Sequence, residues 1–181
     1  MNYIGIDNGV TGSIGIINSE SITYIPTPVK RVLNYTKAKQ FLNRIDGKVL
    51  TAVLEGYAAN SFCLIERPMI NPARWIATIS AIRALESTQT ILELLKIPYQ
   101  FIDSKEWQKS LLPSGLEKEE LKFASLEVGQ RLFPSISFTG FKDADGLLIA
   151  EHARRKYGGG EKNLSSGNVM ESTSLLDKKA I

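Results

Sequence analysis

The sequence is short of the residues on which soft-metal and covalent chemistry usually rest. Among its 181 residues there is one cysteine, Cys63, and one histidine, His152. A single cysteine excludes an intrachain disulfide, and its position inside the apolar run Phe62–Ile65 makes it a core thiol in a reducing compartment. No zinc motif, Walker loop or Ser-His-Asp arrangement is present. No apolar run reaches the ~20 residues of a membrane span, so no membrane partner is expected. The chain enters a strand at once, without the basic and apolar regions of a signal peptide, and a cytoplasmic location is expected. Charge of one sign is also lacking. With 22 Lys and Arg against 19 Asp and Glu, the net charge is +3, which permits a nucleic-acid partner without demanding one.

What is present reads as one ordinary domain, 43% apolar, long enough to bury a sizeable core. Tyr3, Ile4 and Ile6 lead into Asp7, a Gly9/Gly12 turn follows, and Ile14 to Ile17 return as a second strand. Aspartate forms strands poorly, so an acid here suits holding a cation, or a phosphate through a cation, beside a nearly bare backbone. The glycines are expected to let that phosphate approach the main chain.

Ser21–Ile25 reads as a third strand. Pro26 and Pro28 then break the sheet, residues 30–36 read as connection, and Thr36 as the N-cap of a helix to Ile45 with Ala38, Phe41, Leu42 and Ile45 on one face. Val49 to Tyr57 recur at helical spacing, which puts Glu55 on a solvated helix surface. Phe62–Ile65 is a continuous apolar run, a strand buried on both faces and stopped by Pro68, and Glu66 stands at its exposed end. A carboxylate there is placed for chemistry; the plainer alternative is a strand-end pair with Arg67.

A long helix is expected from Ala73 to Lys96, with Trp75, Ile79, Ile82, Leu85, Thr88, Leu92 and Leu95 as its apolar stripe. A strand over 98–102, a short helix capped by Asp103 or Ser104, and a helix over 117–133 follow. Asp143 and Asp145 then open a helix carrying Leu148, Ile149 and Ala153. Acids at a helix N-terminus are favoured by the dipole alone, but two of them beside a loop also describe a cation site. His152, two turns on, reads as a packing residue and stays outside the site. The stretch from Gly158 reads as a linker and a disordered or weakly helical tail.

Acids thus stand at the ends of two strands and at the start of a late helix, and a mixed α/β sheet can bring all three points to one edge. A site of carboxylates alone prefers hard ions such as Mg²⁺ or Mn²⁺. Two such ions ~4 Å apart can activate a water and stabilise the leaving oxygen of a phosphodiester.

Gly5-Ile-Asp-Asn-Gly-Val-Thr-Gly12, the strand ending in Glu66, and Lys142-Asp-Ala-Asp-Gly-Leu-Leu-Ile-Ala-Glu-His-Ala-Arg154 resemble, in order and spacing, the three motifs of RuvC-type Holliday junction resolvases. Ile65-Glu-Arg-Pro-Met-Ile-Asn-Pro72 and Ile102-Asp-Ser-Lys-Glu-Trp-Gln-Lys109 resemble the phage-encoded branch more than the bacterial one. The resemblance covers residues 1–156. It implies a ribonuclease-H-like α/β domain over residues 1–157, with a mixed five-stranded sheet flanked by helices and a tail over 158–181. It further implies a homodimer that binds four-way DNA junctions and nicks them symmetrically with Mg²⁺ or Mn²⁺, two ions per site, inside a bacterial or phage-infected cell. Carried over, Asp7 bridges the metals, Glu66 ligates one, and Asp145 completes the site. The bacterial pattern has two late acids three residues apart; here position 142 is lysine and the second late acid is Asp143, which is taken as the fourth ligand.

Phosphate contacts require cations near the acids. Arg67, Arg74, Lys105, Lys109, Lys118 and Lys122 are the candidates, with the 154–156 basic cluster beside them. The helix starting at Ala73 is the expected dimer contact. Three rivals stand: a sugar-kinase or ATPase fold, which opens on a similar hairpin but needs two such domains; a nuclease for flaps, other branches or RNA–DNA hybrids; and a non-catalytic DNA-binding protein.

Overall fold

The computed structural model describes residues 1–35 and 40–159. Side-chain alternation along the strands sets its layers. In β1 (Asn2–Ile6) and β6 (Ser61–Glu66), Ile4, Ile6, Cys63 and Ile65 point to one face of the sheet, while Tyr3, Phe62 and Leu64 point to the other. Both sets are buried, so each face must be covered by helices.

The sheet runs β3-β2-β1-β6-β7. Here β2 is Ser13–Ile17, β3 is Ile22–Pro26 and β7 is Tyr99–Ile102. β1, β2 and β3 form an antiparallel meander, and β6 joins β1 and then β7 in parallel. The expected mixed five-stranded sheet flanked by helices is what the chain forms. One face carries α1 (Gly47–Glu55) and α2 (Trp75–Leu94), which bring Leu50, Leu54, Ala84, Ile91 and Leu92 against the isoleucines. The other carries α3 (Ser104–Leu111), α4 (Lys118–Leu132) and α5 (Asp145–Tyr157). Each fully buried aliphatic side chain contributes about 1.5–3 kcal/mol, so the two cores hold the layers together without disulfides.

α5 lies directly on β1 and β2, and glycine permits it. A Cβ at Gly5 would overlap backbone atoms of Ala150 and Gly146, and one at Gly15 would overlap Leu147. This contact fixes where the first residue of α5, Asp145, comes to rest.

Two expectations fail. Residues 29–33 and 41–45 are not connection and helix but two largely exposed strands, β4 (Val29–Leu33) paired antiparallel with β5 (Phe41–Ile45). Phe41, Leu42 and Ile45 fit helical spacing, but pairing with β4 overrides it. The expected cap, Thr36, lies outside the described residues, as does Ala38. The stripe on α2 holds only in its second half: Thr88 and Leu92 are buried and Leu85 and Leu95 pack on the core, whereas Trp75 and Ile82 are exposed, because the first half of α2 faces the β4–β5 pair across a groove of about 670 Å³ rather than the sheet. The 3-10 turn Pro72–Arg74 precedes α2, capped by Asn71. Glu55 is exposed at the end of α1, and Cys63 is a free, buried thiol. The expected tail lies outside the described residues from position 160 on. No described helix is long and apolar enough to cross a membrane.

Candidate active site

Strand alternation places the first two acids. Asp7 follows Ile6, and Glu66 follows Ile65; Ile6 and Ile65 are register partners in the parallel β1–β6 pair. The next step along both strands sets the two carboxylates side by side, on the face that carries Tyr3, Phe62 and Leu64. That is also the face on which α5 sits.

The late acids arrive at the N-terminus of α5. Ligand oxygens of Asp7, Asp143 and Asp145 all lie within 4.8 Å of one another. Asp145 is the first residue of the helix, and Asp143 sits in the loop two residues before it, with Ala144 in the cap position and no side-chain cap bond. Helix-dipole stabilisation accounts for one acid at such a position; it does not account for a third carboxylate delivered from another strand. Glu66 lies outside this trio but close beside it, since its charge acts on Asp7 and those of Asp145 and Asp143 act on it. Arg67 forms its ion pair with Asp103 at 2.8 Å, not with Glu66.

Neutral donors hold the acids. The Trp107 indole N–H on α3 donates to Glu66 Oε2 at 2.9 Å. Ser125 on α4 donates to Asp145 Oδ1 and accepts from the Ala144 N–H at 3.0 Å. Tyr24 on β3 donates to the Asp143 carbonyl at 2.9 Å, and Ser13 Oγ accepts from the Gly146 N–H at 3.1 Å. None of these four stood out in the sequence. A single polar residue on an otherwise apolar strand or helix face is the one trace they leave, and Ser125 and Ser13, both buried, show it best.

Crowding sets the electrostatics. Burial, then the charges of Glu66 and Asp143, push Asp7 up to about 7. Burial, then Asp145 and Asp143, push Glu66 up to about 7 against the Trp107 hydrogen bond. Burial and Asp143 raise Asp145 to about 7 as well, opposed by the Ser125 hydrogen bond and by Lys122. Several carboxylates that repel one another, with one lysine nearby, call for cationic charge. An all-oxygen donor set at this spacing fits one or two hard divalent ions such as Mg²⁺ or Mn²⁺.

Of the six expected phosphate contacts, Lys122 is exposed and its charge reaches Asp7 and Asp145. Arg67 and Arg74 are exposed near the end of β6 and at the start of α2, and Lys105 and Lys109 are exposed on α3. Lys118 opens α4. The 154–156 cluster is spent internally: Arg154 and Arg155 grip buried Glu151 at 2.7 Å, and Lys156 pairs with Glu106 at 2.8 Å. His152 lies about 10 Å along α5 from Asp145 and bonds Ser110 at 2.7 Å, so it serves α3–α5 packing. At Gly12 a Cβ would overlap the Asp7 carbonyl, so the glycine lets the turn close beneath Asp7. Open space lies instead around Gly9.

No protein-family model and no curated protein matches the sequence. Solved structures do resemble the fold. Thermus thermophilus RuvC in complex with a Holliday junction substrate superposes with a TM-score of 0.58 at 13% identity, over 86% of this chain and 96% of that one. The Thermus thermophilus RuvC structure gives 0.54 at 13% identity, over 87% and 97%. At this identity the likeness establishes a RuvC-like fold.

Proposed function

We propose that the chain is a structure-selective endodeoxyribonuclease that resolves four-way DNA junctions by metal-dependent hydrolysis, acting as a homodimer. The observation that carries this is the convergence of Asp7, Asp143 and Asp145 within 4.8 Å, with Glu66 at the adjoining strand end. The RuvC-like fold and the order of the three motifs support it, and the residues at 65–72 and 102–109 favour the phage-encoded branch, working in the host cytoplasm.

In this reading Asp7, Glu66, Asp143 and Asp145 would together hold Mg²⁺ or Mn²⁺, with Asp7 as the shared central ligand. When bound, the ions would supply water activation and charge stabilisation at the leaving oxygen. The protein does the rest. Its strand ends and the α5 N-terminus fix four carboxylates in place, Ser125 and Trp107 keep those of Asp145 and Glu66 from rotating away, and Tyr24 holds the Asp143 backbone. Lys122 offers a phosphate contact beside the acids, while Arg67, Arg74, Lys105 and Lys109 extend that contact over the flanking surface. A two-fold dimer presents two such sites to a two-fold junction. Exposed Trp75 and Ile76 at the start of α2 support that helix as the contact.

Incubating the purified protein with an immobile four-way junction, a flap, an RNA–DNA hybrid and a duplex, each in Mg²⁺ or EDTA, tests this. Mg²⁺-dependent cutting with the junction preferred is expected. Preferred cutting of the flap or hybrid would replace the substrate assignment, and no metal-dependent cutting at concentrations that bind DNA would refute the nuclease.

A further inference from the structure

One acid of the site has a partner unlike those of the others. Ser125 and Tyr24 are hydroxyls, each able to accept as well as donate, but Glu66 Oε2 is held by an indole N–H that only donates. Trp107 is completely buried and cannot swing away. Its helix begins where β7 ends, and Ile102 is the register partner of Glu66, with the Arg67 N–H donating to the Ile102 carbonyl at 3.0 Å. One turn on, Ser110 Oγ donates to the Trp107 carbonyl at 2.8 Å and bonds His152 Nδ1 on α5 at 2.7 Å. The helix that carries the indole is thus tied to the strand beside Glu66 and, through Ser110 and His152, to the helix that carries Asp145.

We propose that Trp107 is a positioning residue for the cation site: its N–H fixes the Glu66 carboxylate through Oε2 and leaves Oε1 as the ligand atom. The inference rests on the metal site proposed above. A donor that cannot ionise or accept holds the carboxylate without drawing it out of the site, whereas a lysine or arginine there would compete with the ion for its charge. A second consequence concerns light. The chain has two tryptophans, Trp75 and Trp107, and Trp107 alone touches the site, so its emission reports ion binding.

Two measurements on the full chain test the proposal. In Trp107→Phe, the Mn²⁺ dissociation constant, read from the electron paramagnetic resonance of free Mn²⁺, is expected to rise about tenfold, as for other outer partners of metal ligands. In a Glu66→Gln background, adding Trp107→Phe is expected to leave the residual affinity unchanged; a merely structural loss would weaken binding in both backgrounds. In Trp75→Phe protein, whose remaining tryptophan is Trp107, Mg²⁺ is expected to change the emission saturably, and Glu66→Gln to abolish that change. Should Trp107→Phe not fold, the emission titration alone decides. Wild-type affinity in Trp107→Phe, or flat emission in Trp75→Phe protein that binds Mn²⁺ normally, overturns the role of Trp107 alone. Absence of Mn²⁺ binding in the wild type overturns the metal site as a whole.

Discussion

Asp7, Glu66 and Asp145 each stand near pKa 7 because burial and mutual repulsion disfavour their charges. Without metal, the folded chain keeps protons on these groups up to about pH 7, while the unfolded chain releases them near ~4. Between those values the folded state binds more protons, so these acids lower stability as pH rises and do most harm above pH 7. In EDTA the thermal midpoint is therefore expected to fall between pH 5 and 8, and to fall less in Asp7→Asn. Mg²⁺ should raise the midpoint more at pH 8 than at pH 5, since protons compete for the same oxygens. Calorimetry that finds the Asp7→Asn and wild-type profiles parallel, with no effect of Mg²⁺ at pH 8, would contradict this. For catalysis, removing one carboxylate forfeits several kcal/mol of transition-state stabilisation. At 1.36 kcal/mol per tenfold, Asp7→Asn or Glu66→Gln is expected to slow junction cleavage by about 10³-fold or more while gel-shift binding of the junction survives. Full activity in Glu66→Gln would exclude it from the ion site. These two acids were legible in the sequence because period-two alternation carries a strand-end acid to a definite face. Trp107 and Ser125 were not, because a lone donor aimed across the fold leaves no spacing to read.

At the scale of elements, the site depends on how closely α5 approaches the sheet. Gly5 and Gly15 leave no room for a Cβ, and the atoms they would strike are backbone. Overpacking commonly costs about 1–3 kcal/mol, and rigid neighbours place Gly5→Ala at the upper end. Such a shift also carries Asp145 and Asp143 away from Asp7. Gly5→Ala is thus expected to lose cleavage more than its stability loss explains, which urea unfolding and cleavage assays on the same protein would show. Full activity at unchanged stability would mean that α5 can move without consequence. The sequence shows these glycines plainly, but period and turn chemistry assign them to the hairpin; that they are a seat for a helix about 140 residues on is a tertiary fact. The β4–β5 hairpin escaped for a different reason. Its strands are largely exposed, so neither carries the apolar alternation that marks a half-buried strand, and Phe41, Leu42 and Ile45 mimic a helix face.

For the whole molecule, one chain supplies one set of four acids, whereas symmetric resolution needs two cuts. Trp75 is 66% exposed and Ile76 85% exposed, beside a groove that Phe41 and Tyr35 also line. An apolar surface of this kind fits a second copy packed along α2. Sedimentation at micromolar concentration is expected to give a ~40 kDa species, and Ile76→Asp to shift it toward ~20 kDa. A wild-type protein that sediments as a ~20 kDa monomer would contradict the dimer and leave the single site intact. Whether these carboxylates cut branched DNA through bound metal is decided by mapping products from an immobile junction labelled on each strand in turn. Paired nicks at symmetric positions on two opposing strands are expected in Mg²⁺, with none in EDTA and none from Asp7→Asn. Cleavage that persists in EDTA, or an intact junction at protein concentrations that fully bind it in Mg²⁺, would contradict the account.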